Sequence, residues 1–179
     1  MKNYIKSIAY NYEGKALEKN IVIKYQLENI EALIDKEKFT QVIINILSNA
    51  IKFTDNNGNI SVFIEADEKY VFIRVKDDGI GISEDIREEI FNRFVQEDKS
   101  FNRKKEGSGI GLALVKSLVE LHDGEVYLEK VSKGSEFVVK LPNIKIDEEL
   151  DVYNKVMDAE SKPLVQKIHI EFSDIYELY

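Results

Sequence analysis

The sequence has no cysteine. Disulfides, cysteine-ligated zinc and a thiol nucleophile are therefore all excluded, and a reducing cytosol is compatible with the chain. Histidine is almost as scarce, with only His122 and His169, so a histidine-rich metal centre is not expected. No run of 18 or more apolar residues occurs, and a membrane-spanning segment is not expected from this stretch. The opening residues MKNYIKSIAY lack the apolar core of a signal peptide. Basic residues are outnumbered, giving a formal net charge of −8, which argues against a nucleic-acid binder. What is present is an ordinary globular balance, 44% hydrophobic and 32% charged in 179 residues, enough for one domain with a core and an appendage.

The pattern of apolar residues places the elements. Residues 3–19 read as a short amphipathic helix with Tyr4, Ile8, Tyr12 and Leu17 among its apolar positions. IVIKYQL (21–27) alternates as a strand. Asp35 is the expected N-cap of a long helix running to about Phe53. DNNG (55–58) is a turn, followed by strands NISVFIEA and YVFIRVK, a hairpin joined through Asp67 to Lys69. DDGIGI (77–82) breaks the second strand, helical pieces are expected over 83–94, and the charged stretch QEDKSFNRKKE (96–106) reads as a loop. A helix over roughly 109–122 and the strands EVYLEKV and SEFVVKL close the domain at Pro142. The alternation of strands, hairpins and helices predicts an α/β class with a mixed or antiparallel sheet.

Three stretches carry candidate chemistry. On the long helix, at about 100° per residue, Asn45, Asn49 and Lys52 fall within about 60° of one another, with Gln41 one turn earlier. Apolar residues flank this ribbon: Phe39, Val42, Ile43, Ile46, Leu47 and Ala50 on one side, Ile44 and Ile51 on the other. Amide oxygens are hard, neutral ligands suited to Mg²⁺ whose shell is completed by phosphate and water, and a lysine one turn on can face phosphate as a point charge. Asparagines that cap neighbouring loops give the same spacing, which alone leaves both readings open. DDGIGI sets a carboxylate at a strand end beside glycines that let a flat ring approach the backbone, although Asp-Asp-Gly is also an ordinary turn. GSGIGL (107–112) opens a helix, where backbone N–H groups bind phosphate. It is neither a dinucleotide fingerprint, lacking a preceding strand, nor a P-loop, lacking Gly-Lys-Ser/Thr. The order of these features along the chain is more telling than any one of them.

In that order the residues resemble the catalytic and ATP-binding domain of sensor histidine kinases, within the wider family that includes gyrase, Hsp90 and MutL. QVIINILSNAIKFT (41–54) resembles the N box, DDGIGI the G1 box, IFNRFVQ (90–96) the F box, and GSGIGLALVKSLVELHDGEV (107–126) the G2 box and its helix. The resemblance covers about residues 20–142. It implies a two-layer sandwich, a mixed and mostly antiparallel sheet covered on one face by helices, with the nucleotide between helices and a lid. It implies ATP and Mg²⁺ as ligands. Asn45, Asn49 and Lys52 would carry catalysis, with Asn49 on the metal and Asn45 and Lys52 at the phosphates. Asp77 would read the adenine amine, with Gly79, Gly81 and Ile82 beside the ring. Phe91 and Phe94 would anchor the lid, and Gly107, Ser108, Gly109, Ile110, Gly111 and Leu112 would line the triphosphate. Residues 1–19 would lead in from a dimerisation domain, and 143–179 would form a tail.

Two departures from the family pattern matter. Gln96 stands where many members carry a phosphate-facing arginine, which makes Arg103 the substitute candidate. Asn45 stands about where ATP-hydrolysing relatives place a glutamate base, and an amide cannot take a proton from water. The implied activity is transfer of the γ-phosphate to a histidine on a separate dimerisation domain absent from this chain, with a response regulator downstream, no nucleic acid, and a cytoplasmic location. No acceptor-histidine motif is present: His122 begins an HDG turn and matches a structural histidine of the family, and His169 lies in the alternating segment IHIEFSDIY, a possible edge strand. The alternatives are a serine kinase of the anti-sigma-factor type and a non-catalytic ATP-sensing module.

Overall fold

The computed structural model describes residues 1–30, 32–95 and 109–144. The chain runs α1 (Lys2–Glu18), β1 (Val22–Leu27), α2 (Lys36–Phe53), β2 (Asn59–Ala66), β3 (Tyr70–Asp77), α3 (Gly111–Glu120), β4 (Glu125–Glu129) and β5 (Glu136–Pro142). The strands form one sheet in the order β1-β2-β3-β5-β4. β1 and β2 are parallel and the other pairs antiparallel. A parallel pair needs a long crossover, and α2 supplies it, which lays this helix across the sheet.

Alternation in the strands decides which face is covered. Ile60, Val62 and Ile64 of β2 and Val71, Ile73 and Val75 of β3 are buried, and in the pairing Ile64 meets Ile73 while Val62 meets Val75. α2 adds Phe39, Val42, Ile43, Ile46, Leu47, Ala50 and Ile51, and α3 adds Leu114, Val115, Leu118 and Val119. Fully burying each such aliphatic side chain is worth about 1.5–3 kcal/mol relative to leaving it in water. On the other face Arg74 pairs with Glu65, Glu129 and Glu136 and lies over the Phe72 ring. The result is a two-layer sandwich with its helices on one side, as expected.

The start of α2 is set by Asp35, whose carboxylate accepts from the backbone N–H groups of Glu37 and Lys38, both at 3.1 Å. α1 differs from its expected pattern. Its buried stripe is Ile5, Ile8, Ala9 and Ala16, while Leu17 is 70% exposed. Leu17 lies about 100° round the helix from Ala16, so only one of the two can face the core. The 83–94 stretch also departs from expectation. It holds one 3₁₀ turn, Glu84–Ile86, and then turns bonded to the third preceding residue, except Ile90 N–H, which reaches the fourth, Ile86. Arg87 is drawn aside here, donating to the carbonyl oxygens of Leu128 (3.4 Å) and Glu129 (3.0 Å) on β4, and the stretch ends at Phe94 with φ +64°.

Candidate nucleotide site

Asp77 is the last residue of β3 and the fourth on its inward face after Val71, Ile73 and Val75. A carboxylate therefore stands where the pattern puts a hydrophobe, and it is only 3% exposed. Its Oδ1 accepts from the backbone N–H groups of Gly79 (2.9 Å) and Ser135 (3.3 Å). Burial pushes the Asp77 carboxyl above the usual carboxylate range, against the pull of those two donors. A carboxylate has about four lone-pair sites, so capacity remains for a ligand donor. Asp78 does the opposite job. It takes the backbone N–H of Asn59 at 2.8 Å and the Asn59 amide at 3.1 Å. Those bonds hold its carboxyl below the usual range, and they tie the turn to the start of β2.

The turn after Asp77 is wedged between two elements. A Cβ on Gly79 would lie 2.3 Å from the Phe53 carbonyl oxygen at the end of α2. Ile80 N–H donates to that same oxygen at 3.3 Å. On the other side Gly134 has φ +74°, and a Cβ there would fall 1.9 Å from the Asp77 carbonyl oxygen. Glycine at both positions is what lets three backbones meet around Asp77. Lys52 lies at this end of α2, its Nζ 5.0 Å from the Phe53 ring centroid.

Two turns back along α2, the Asn45 amide nitrogen donates to the Gln41 carbonyl at 2.8 Å, leaving the amide oxygen turned toward the start of α3. A Cβ on Gly111 would lie 2.6 Å from that Oδ1. Asn49, one turn further on, is half-buried. Ile82, Ile110 and Leu112 pack as partly buried residues against the core. Phe91 meets Phe137 edge-on at 6.3 Å. Phe94 is 73% exposed, and its N–H donates to the Gly109 carbonyl at 3.0 Å. The structure thus brings Asp77, Gly79, Lys52 and Phe53 together at one end of α2, and Asn45 and Gly111 together nearer its middle. Arg103, Gly107, Ser108 and the alternating segment with His169 lie outside the described residues.

Gly134 and Ser135 were not among the expected site residues. KGSE (133–136) marks itself only as a turn, and its contact with Asp77 spans 58 positions, so no local pattern announces it. His122 is buried between elements. Its Nε2 accepts from the backbone N–H of Asp35 at 3.1 Å and its Nδ1 stands 2.7 Å from the Leu118 carbonyl oxygen. The ring also meets Phe39 edge-on.

Comparison with known proteins places this geometry. Residues 34–145 match the family described as histidine kinase-, DNA gyrase B- and HSP90-like ATPase. Histidine kinase P4 of Formosa agariphila is 36% identical over 148 residues, 78% of this chain and 11% of that protein. The chain thus spans about a tenth of that relative's length. Among solved structures, the catalytic domain of histidine kinase ThkA superposes with a TM-score of 0.71 at 26% identity, covering 79% of this chain and 93% of that one. Full-length ShkA in complex with AMPPNP gives a TM-score of 0.67 at 30% identity, covering 78% of this chain and 29% of ShkA.

Proposed function

This chain belongs to the histidine kinase-, DNA gyrase B- and HSP90-like ATPase family, and from that membership we propose that it binds Mg-ATP and passes the γ-phosphate to a histidine on a dimerisation domain. That domain is part of a longer parent protein or acts in trans. The observation that carries the reading is Asp77, a carboxylate buried at a strand end and oriented by two backbone N–H groups. Such a group is costly to hold unless a ligand uses it. The exocyclic amine of adenine is a donor that fits it.

The remaining roles are proposed with the same reading. Lys52 reaches toward the phosphates, and the α3 start presents the backbone N–H groups of Gly109, Ile110 and Gly111 to them. The residues fit a magnesium ion. Asn45 and Asn49 offer neutral amide oxygens, which suit an ion held chiefly by phosphate and water. Asn49 would hold it, and when bound it neutralises charge on the phosphate oxygens. Asn45 has no proton-accepting capacity, so water at this point is not activated and the γ-phosphate is kept for an incoming imidazole. The chain's work is positioning. Neither of its histidines serves as acceptor in this reading, and both ring nitrogens of His122 already face partners. The phosphorylated domain would pass its phosphoryl group to a response regulator, in the cytoplasm. In this reading Arg103, Gly107 and Ser108, which lie outside the described residues, would be further phosphate contacts.

The test is transfer in trans. The chain is incubated with Mg²⁺ and γ-labelled ATP together with the histidine-bearing dimerisation domain of its parent protein. Acid-labile, alkali-stable label on that domain is the expected result. Nucleotide binding with no transfer contradicts the kinase reading and leaves a non-catalytic ATP-sensing module.

A further inference from the structure

The C-terminal end of α2 is finished in an unusual way. The last carbonyls of a helix have no partner within it, and a left-handed glycine cap commonly satisfies them. Here the cap residue is Thr54 in an extended conformation, with φ −77° and ψ 137°. Lys19, from just beyond α1, closes the helix instead. Its Nζ donates to the carbonyl oxygens of Ile51 (2.8 Å), Lys52 (3.2 Å) and Thr54 (2.6 Å). An ammonium has three N–H donors, and three acceptors stand here. Its charge also opposes the negative end of the helix dipole. The Lys19 carbonyl in turn accepts from Asn57 N–H at 2.9 Å. The carbonyl that Lys19 leaves, Phe53, is the one that receives Ile80 N–H and on which Gly79 rests. The end of α2 is therefore shared between α1 and the turn that carries Asp77.

We propose that Lys19 is a positioning residue for the nucleotide site. It fixes the last turn of α2, and with it the Lys52 side chain and the Phe53 carbonyl that seats the Gly79–Ile80 turn. The inference rests on the nucleotide-binding reading above. It makes the setting of the site depend on where α1 lies, because Thr54 serves only the Ala50 carbonyl, through its N–H and its hydroxyl, and the Ile51 and Lys52 carbonyls beyond it are bonded from α1's end. A second latch joins the same two helices far from the site. The Tyr4 hydroxyl donates to the Lys36 carbonyl and meets Thr40 Oγ1. Thr40 is about 18 Å along α2 from Lys52. Tyr4 therefore serves as an internal control: it joins α1 to α2 without touching the nucleotide end.

Calorimetric titration of the whole chain with a non-hydrolysable ATP analogue and Mg²⁺ tests this, alongside thermal unfolding without nucleotide. Lys19→Met keeps the aliphatic stem and removes the donors; it is expected to weaken binding about tenfold, the loss of one charge-assisted contact's worth of order. Lys19→Arg is expected to restore most of the affinity. Tyr4→Phe is expected to lower the unfolding temperature and leave affinity unchanged. If Lys19→Met does not fold, Lys19→Gln, which retains one short donor group, takes its place with the same expectation. Wild-type affinity in folded Lys19→Met or Lys19→Gln overturns the proposal, as does equal weakening by Tyr4→Phe. Failure of the wild type to bind contradicts the nucleotide reading and this inference with it, whereas wild-type binding with unchanged variants contradicts this inference alone.

Discussion

Asn45 on α2 and Gly111 at the start of α3 are in such close approach that a Cβ at position 111 would sit 2.6 Å from the Asn45 amide oxygen. That oxygen cannot simply swing away while the amide nitrogen is bonded to Gln41. Gly111→Ala is therefore expected to displace the Asn45 amide and cost nucleotide affinity roughly tenfold, an effect of about 1.4 kcal/mol, with a smaller loss of fold stability. Titration with an ATP analogue, set beside a urea melt, checks it. Unchanged affinity would show that the two residues do not act on one ligand.

Asp77 sets stability against function. Because burial raises its folded-state pKa, the folded chain holds a proton more tightly there than the unfolded chain does. Its contribution to stability is full at low pH and is lost as pH rises from the ordinary carboxyl value of 3.8 through the raised folded-state pKa. Asp77→Asn removes that loss while its amide oxygen still accepts from Gly79 and Ser135. The variant is expected to match or exceed wild-type stability at neutral pH, with the difference growing as pH rises above about 3.8 and then levelling off. The same change is expected to weaken ATP binding and relax the preference for ATP over GTP, since an amide can present a donor where the ring amine needs an acceptor. Melts across pH, with ATP and GTP titrations, measure both arms. A neutral-pH loss of stability with intact ATP preference would refute the assignment.

His122 is a structural bolt between the start of α2 and the end of α3. His122→Ala removes the acceptor for the Asp35 N–H, the Leu118 partner and the edge contact with Phe39. It is expected to lower stability by about 2–4 kcal/mol. Phosphoryl transfer to a supplied histidine domain should persist at a temperature where the variant is folded. Loss of transfer with unchanged stability would instead make His122 a participant in the chemistry.

Much of this was legible because it is local. NISVFIEA alternates cleanly and β2 spans those same residues. Asp35 advertises a helix start and caps one. The alternation of β3 carried a further signal: counting inward from Val71, Ile73 and Val75 puts Asp77 inside and Asp78 outside, which separates the two carboxylates by role. What was not legible depends on contacts between distant segments. Ser135 reaches Asp77, and Lys19 reaches the end of α2, across 58 and 32 to 35 positions respectively. Leu17 looked apolar enough to face the core, yet its neighbour Ala16 holds that position. The 83–94 stretch has helical periodicity, but Arg87 is held at the edge of β4.

The central claim is that α2 and the Asp77 turn form a Mg-ATP site, and calorimetry with an ATP analogue tests it most directly. The wild-type chain is titrated with and without Mg²⁺, and Asn49→Ala is titrated beside it. The account predicts binding in the micromolar to millimolar range that Mg²⁺ strengthens, and loss of that Mg²⁺ dependence in the variant. A folded chain that binds no nucleotide, or an Asn49→Ala variant that keeps the full Mg²⁺ effect, would contradict it.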